Sequence, residues 1–218
     1  MESDEMKQSA KPHSRGGARI IGRVLHNRIV QTVLALLVIG GVVAAFLLIY
    51  QQARTPIFYN DATLLTLRYP DTITRVATNE DDARAKIIFR ATESEKEAGT
   101  PFLITIRYEE GLRKVSSMLR YDILDILKDN ADKLFPSQYP KLEKIDDTKY
   151  RIDDKRAAQT TFTYLSPLGE KIKQRFIILM RDEDMAAYIT LQAKEKDFEG
   201  LHKKYFTNII SSVKFRLK

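Results

Sequence analysis

The sequence predicts an α+β protein in which one transmembrane helix precedes an antiparallel β-sheet with flanking helices. Residues 29–50 form an uncharged, apolar run, which indicates the membrane helix. Several segments after residue 60 alternate apolar and polar residues with a period of two, as half-buried strands do. Two further stretches repeat apolar residues every three or four positions, as amphipathic helices do. Strands and helices in this irregular succession favour an α+β arrangement.

The composition excludes several classes of site. The 218-residue chain contains no cysteine, so disulfides, thiolate zinc sites and cysteine nucleophiles are absent. Its net charge is +7, but most charges of the two signs are interleaved along the chain. No basic stripe with interleaved aromatic residues occurs, so nucleic acid is not an expected partner.

Residues 29–50 have the length and composition of a membrane span. At about 1.5 Å per residue a helix of this length covers a hydrocarbon core of about 30 Å. A core helix of a soluble protein and a cleaved signal peptide are the alternatives. An uncleaved signal anchor is favoured because the run is longer than a signal core and no small-x-small site follows it. The residues assigned to the span include Ile29, Leu36, Gly40, Gly41, Ala44, Ala45, Leu48 and, at the interface, Tyr50.

Basic residues before the span predict its orientation. Residues 1–28 read as a polar, disordered tail with a net charge of +3. Four arginines in this tail flank the span: Arg15, Arg19, Arg23 and Arg28. The positive-inside rule then places residues 1–28 in the cytoplasm and residues 51–218 outside it. The expected location is therefore the cell membrane, with one pass and the lipid bilayer as a partner.

Small residues four positions apart could bring two such helices together. Gly40 and Ala44 have this spacing, as do Gly41 and Ala45. The pattern predicts a homodimer through the Gly40/Ala44 face. Small residues are also common in membrane helices for no special reason, and this alternative stays open.

Residues 51–60 are predicted to be a linker and residues 61–218 the extracytoplasmic α+β domain. Strands are predicted at residues 63–70, 85–91 and 102–108. An amphipathic helix is predicted from Val115 to Phe135, ended by Pro136. Three long antiparallel strands follow at residues 155–166, 170–181 and 185–194, joined by tight turns. A second helix over residues 196–211 leads into a short final strand.

A resemblance to a known family follows from this order of elements. A "YP" closes the first strand, a long helix lies mid-chain, and "YFTNIISSVKF" runs from a helix into a final strand. The pattern resembles the PsbP-like α/β/α sandwich, which also includes the Ran-release-factor proteins, over roughly residues 57–216. The residues that carry the resemblance are Tyr69, Pro70, Phe206, Ile209, Ile210, Ser212, Val213 and Phe215. The resemblance implies a non-enzymatic accessory or binding domain.

No pattern in the sequence predicts a catalytic, cofactor or metal site. His202 is the only histidine of the outer domain and is expected to be exposed on its helix. The acidic clusters at residues 79–82, 146–147, 153–154 and 182–184 could each offer carboxylates to calcium, but none has the spacing of a calcium loop. The serines lack the G-x-S-x-G and S-x-x-K contexts of nucleophiles.

The expected function is therefore that of a single-pass, membrane-anchored protein with a non-catalytic binding or accessory domain outside the cytoplasm. A protein partner in the envelope is expected. The first alternative is a small-molecule or lipid carrier with a pocket between the sheet and the helix at 115–135. The second is a hydrolase with an unfamiliar site.

Overall fold

The computed structural model describes residues 32–34, 36–47, 55–93, 102–119 and 121–216. The chain divides into two units, residues 1–54 and 55–218. In the first unit, the described residues are helical and expose their large apolar side chains, such as Leu36 (64 %) and Phe46 (66 %). None of the helices built from described residues is both long enough and apolar enough to cross a membrane.

The second unit contains strands and helices in an irregular order. Its described strands are β1 (Ile57–Asn60), β2 (Leu65–Arg68), β3 (Ile73–Arg75), β4 (Ile87–Glu93), β5 (Leu103–Glu110), β6 (Glu143–Ile152), β7 (Lys155–Leu165), β8 (Lys171–Met180), β9 (Met185–Lys194) and β10 (Lys214–Phe215). Its described helices are α1 (Glu80–Arg84), α2 (Leu112–Leu119), α3 (Ile123–Gln138), α4 (Glu195–Leu201), a π-helical turn (His202–Phe206) and α5 (Thr207–Ser212).

The strands form two antiparallel sheets. The large sheet has the order β3-β4-β5-β9-β8-β7-β6, and the small sheet has the order β1-β2-β10. Strands β6 to β9 are a meander whose neighbours in sequence are neighbours in space. The small sheet joins the first strands of the unit to its last strand, so it closes only when both ends of the domain are folded.

Apolar residues from both faces of the large sheet build two cores. One core lies between the sheet and the C-terminal helices with the small sheet, and includes Phe89, Ile106, Leu191, Phe198 and Phe206. The other lies under α2 and α3, and includes Ile123, Phe135, Phe162, Phe176 and Tyr188. The result is the predicted layered α+β arrangement. Both cores lie within residues 55–218, which is therefore a self-contained folding unit.

The helix predicted from Val115 to Phe135 is two helices. Asp122 caps the second of them, because its Oδ1 atom accepts a hydrogen bond from the N–H of Leu124 at 2.8 Å. Pro136 was expected to end the helix but lies inside the last turn of α3. The helix continues past Pro136 to Gln138, and the N–H of Tyr139 bonds to Phe135 O at 2.9 Å.

The folded unit also begins earlier than the expected boundary at residue 61. Strand β1 lies within residues 51–60, which the sequence predicted to be a linker, and Phe58 is only 4 % exposed. One buried side chain in a four-residue strand is too weak a pattern to predict this element. The meander also has four long strands where three were expected, because β6 is ten residues long.

Candidate functional site

A groove of about 680 Å³ runs along the outer face of the small sheet. Leu65 and Leu67 of β2 point into the core and are fully buried, so Thr66 and Arg68 point outward. The strand register places Ile57 opposite Arg68 and Lys214 opposite Thr66. We call this feature the basic groove. Its lining residues are Ile57, Thr66, Leu67, Arg68, Asp153, Ser211, Ser212, Lys214, Phe215 and Arg216.

Local hydrogen bonds hold the walls of the basic groove together. Ser212 Oγ accepts a bond from the Arg68 N–H at 2.9 Å, which joins the end of α5 to β2. Thr66 Oγ1 donates to the Lys214 carbonyl at 3.3 Å, and the Arg216 N–H donates to the Leu64 carbonyl at 2.9 Å. The backbone around the cationic side chains is therefore fixed by the fold.

The basic groove carries an excess of positive charge. Lys214 pairs with Asp153, with Nζ 3.2 Å from Oδ1. The Arg216 guanidinium lies over the Tyr59 ring, 5.0 Å from its centre. Within the described part of the chain, neither Arg68 nor Arg216 pairs with an acidic side chain. Three cations thus face one carboxylate, and such a surface attracts anionic groups.

The space under α3, where the carrier hypothesis places a pocket, is largely filled. Phe135 lies among the rings of Phe162 (4.9 Å), Phe176 (5.0 Å) and Tyr139 (5.8 Å). One cavity beside this cluster measures about 220 Å³, and a second, near the start of α3 and lined by residues such as Asp125 and Arg156, measures about 370 Å³. Ligand pockets usually measure about 300–1,000 Å³, so the first cavity is smaller than a typical carrier site and the second lies at the lower end of this range.

Ion pairs connect α3 to the edge strand β6. Lys128 lies between Asp132 (2.9 Å) and Asp147 (2.6 Å), and Lys144 contacts the same two carboxylates. Burial lowers the pKa of Lys128, but the hydrogen bonds to Asp147 and Asp132 outweigh it and raise the pKa above its usual range. Asp147 belonged to a candidate calcium cluster, and its carboxylate is used instead to attach the helix to the sheet.

The other acidic clusters also have structural roles. Asn79 and Asp82 form a capping box at the start of α1. Asp182 Oδ1 accepts the N–H groups of Asp184 (2.8 Å) and Met185 (3.1 Å), which shapes the β8–β9 turn. The described residues contain no group of three or more potential ligands placed to hold a metal ion.

His202 is not the exposed, unpartnered residue that the sequence predicted. It begins the π-helical turn, where it is half-buried, and its Nε2 atom accepts a hydrogen bond from the Arg175 guanidinium. Its Nδ1 atom lies 3.3 Å from Thr207 Oγ1. An arginine can only donate, so the contact requires a neutral imidazole whose proton is on Nδ1. Burial lowers the pKa of His202, and the positive charge of Arg175 lowers it further.

We expect His202 to make the domain less stable in mild acid. Its pKa in the folded state lies below the unfolded value of about 6.5, so the unfolded chain takes up the proton first as the pH falls. The contribution of neutral His202 is present above that value and is lost below it. The free energy of unfolding of residues 55–218 should therefore fall as the pH decreases through the unfolded value of about 6.5, and His202→Gln should flatten this dependence.

Chemical denaturation at a series of pH values measures this effect. Lys203→Gln changes a neighbouring exposed residue of the same turn and serves as the control. Its free energy of unfolding should depend on pH in the same way as that of the unchanged domain. An equally steep dependence in His202→Gln would show that other groups are responsible. His202 is the only histidine in this part of the chain, which makes the comparison direct.

The structure describes only some of the residues that were predicted to lie in or beside the membrane. Leu36, Gly40, Gly41, Ala44 and Ala45 are helical and exposed. Apart from the adjacent residues and the backbone of the same helix, no atom would lie within 4 Å of a Cβ added at Gly40 or Gly41. The other assigned residues lie outside the described residues: Ile29, Leu48, Tyr50, Arg15, Arg19, Arg23 and Arg28. The homodimer through the Gly40/Ala44 face stays a prediction.

Sequence reasoning missed the basic groove, although its signal is present in the sequence. "LTLR" at residues 65–68 and "VKFR" at residues 213–216 both alternate buried apolar residues with outward polar ones. The sequence does not show that these two distant segments pair in one sheet. Without the pairing, their cations look like separate solvated surface residues.

Comparisons with known proteins find similar structures but no similar sequence. No family model matches the chain, and no curated protein matches it. The solution structure of cyanobacterial PsbP (CyanoP) from Synechocystis superposes with a TM-score of 0.53 at 10 % identity, over 74 % of this chain and 92 % of that one. A Bacteroides thetaiotaomicron protein superposes with a TM-score of 0.50 at 12 % identity.

The superposition covers 76 % of this chain but only half of the Bacteroides protein. The Ran-binding protein Mog1p of Saccharomyces cerevisiae gives a TM-score of 0.48 at 8 % identity, over 74 % of this chain and 95 % of Mog1p. The likeness to CyanoP concerns the fold, and it agrees with the resemblance found in the sequence. Residues 55–218 have the PsbP-like α+β fold.

Proposed function

We propose that this chain is a single-pass membrane protein whose PsbP-like domain is a non-catalytic binding or accessory module outside the cytoplasm. The observation that carries the membrane part comes from residues 32–34 and 36–47, which are helical and whose large side chains are apolar and between 51 % and 68 % exposed. Such side chains favour a lipid environment over water. The uncharged run 29–50 is long enough for a membrane span, and the arginines before it predict the orientation of that span.

The domain itself supports a binding role. One of its concave features is the basic groove, an open groove with an excess of cations, and several of its serines are engaged in local contacts. Ser117 bonds to the Lys114 carbonyl (2.9 Å), Ser166 to the Glu170 N–H (3.1 Å) and Ser211 to the Asn208 carbonyl (3.0 Å). His202 contacts Arg175 instead of a serine. An open cationic surface suits recognition of another molecule.

A charge in the middle of residues 29–50 should release the protein from the membrane. Val42→Arg would cost about 2.5–3.5 kcal/mol of insertion free energy at the centre of a span. We expect a clear decrease in the fraction that stays in membranes after extraction with alkaline carbonate. Val115→Arg adds the same charge to an exposed apolar site of the domain and should leave the membrane fraction unchanged. Similar behaviour of both variants would contradict the anchor.

The orientation has a separate measurement. Alkaline phosphatase fused after Lys218 is active only outside the cytoplasm and should be active in this fusion. β-Galactosidase fused at the same residue should be inactive. The opposite pair of results would refute an extracytoplasmic domain.

A further inference from the structure

We infer that the basic groove binds an extended acidic segment of a partner protein, which adds to the free edge of β10 with its carboxylates at alternate positions. The inference names the surface for the binding role proposed above. It does not depend on the membrane anchor, because every residue it uses lies in residues 57–216.

The edge of β10 has unpaired backbone groups of known direction. Among the described strands, β10 pairs only with β2. The register sets Lys214 opposite Thr66, and the Arg216 N–H bonds to the Leu64 carbonyl at 2.9 Å. Backbone groups of successive residues in a strand point to opposite sides. The N–H and C=O of Phe215 therefore point away from β2, where an added strand would pair with them.

The cations beside this edge are spaced for a strand. Lys214 and Arg216 are two residues apart, so their side chains lie on the same face, separated by about 6.6–6.8 Å along the strand. Carboxylates at positions i and i+2 of a paired peptide would lie on that face at the same interval. Arg68 on β2 extends the positive surface behind β10.

Charge and shape together favour a peptide. Three cations face the single carboxylate of Asp153, so an acidic ligand would neutralise an existing excess. The apolar side chain of Ile57 is 55 % exposed beside the cations. A concave groove with a hydrogen-bonding edge fits a chain of alternating polar and acidic residues better than a flat bilayer surface, which offers no backbone groups for pairing.

Binding of a synthetic peptide tests the inference. The probe is a fluorescein-labelled nonapeptide of alternating threonine and glutamate, and the protein is the full chain in phosphatidylcholine nanodiscs. A peptide of the same composition with the sequence EETTEETTT should bind about tenfold more weakly, because no two of its glutamates are two residues apart. Equal affinity for the two peptides, measured by fluorescence anisotropy, would overturn the proposed spacing.

Charge reversal in the protein tests the location. Arg68→Glu with Arg216→Glu should weaken binding of the alternating peptide by about tenfold or more. The control pair, Lys114→Glu with Lys133→Glu, makes the same change of net charge at exposed sites away from the groove, and should change the affinity by less than about twofold. An equal loss in both pairs would mean attraction by net charge alone. Unchanged circular dichroism shows that the variants are folded.

Backbone pairing is tested on the peptide, so that protein folding is not affected. N-methylation of alternate peptide bonds removes donors while all carboxylates stay, and methylation in the pairing register should abolish binding. Retained affinity in both methylation registers would refute strand addition.

Loss of peptide binding when anionic phosphatidylglycerol is added to the nanodiscs would indicate that the bilayer occupies this face, and would also overturn the inference. Neither result affects the test of the anchor by carbonate extraction.

Discussion

Phe162→Ala is expected to lower the free energy of unfolding of residues 55–218 by about 3–5 kcal/mol. Phe162 is fully buried at the centre of the core under α3, with ring centres 4.9 Å from Phe135 and 5.2 Å from Tyr139. The substitution removes the transfer free energy of a large apolar side chain and leaves a cavity. A loss of this size is a large part of the stability of a typical domain, so partial unfolding at growth temperature is expected.

Denaturation by urea, monitored by circular dichroism, measures this loss. Phe162→Leu keeps most of the volume and should cost about 1–1.5 kcal/mol. Leu168→Ala removes an apolar side chain that is 87 % exposed in the β7–β8 turn, and should change the stability by less than about 0.5 kcal/mol. A cost for Phe162→Ala as small as that for Leu168→Ala would contradict the central position of this ring.

The meander was predictable because its determinants are local. Phe162 and Tyr164 alternate with Thr161 and Thr163, and both aromatic residues pack under α3 as the period of two requires. The turn between β7 and β8 contains Gly169 at a φ of +76°, a conformation that glycine adopts without strain. Strand pairs connected by such short turns take their register from the turn itself.

Elements that depend on distant partners were not predictable from the sequence. The break between α2 and α3 coincides with contacts of Asp122, whose carboxylate accepts the Leu124 N–H and also contacts Arg156 on β7. The apolar period alone runs through this point and indicates one helix. The location of His202 was missed for the same reason, because Arg175 reaches it from β8.

The candidate site was the feature that could be predicted least from the sequence. Its cations come from β2, from β10 and from Arg216 just after β10. Residues 66 and 214, which are paired, lie almost the full length of the domain apart in the sequence. The resemblance to PsbP-like proteins predicted the layers of the fold. It did not predict which residues line a surface, because a fold can carry unrelated sites.

Asp82→Ala is expected to cost about 2–4 kcal/mol of the free energy of unfolding, since it removes two interactions of one buried carboxylate. The Asp82 side chain is 4 % exposed, and its Oδ1 atom lies 2.6 Å from Nη2 of Arg90 on β4. Its Oδ2 atom accepts the Asn79 N–H at 3.2 Å, which completes the cap of α1. Loss of the carboxylate would leave the largely buried guanidinium without its partner, and Arg90 Nε already lacks one in the described structure.

Two comparisons test the buried ion pair between Asp82 and Arg90. Asp81→Ala, in the same short helix, removes an 85 % exposed carboxylate and should cost less than about 0.5 kcal/mol. Arg90→Met combined with Asp82→Ala should be more stable than Asp82→Ala alone, because the unpaired charge is then gone. Purely additive effects in this double-mutant cycle would refute the coupling between the two residues.

Asp82 lay in an acidic cluster that could have been a metal site. A positive coupling would establish that its carboxylate instead ties α1 to the sheet, which explains why a charged residue is buried at this position.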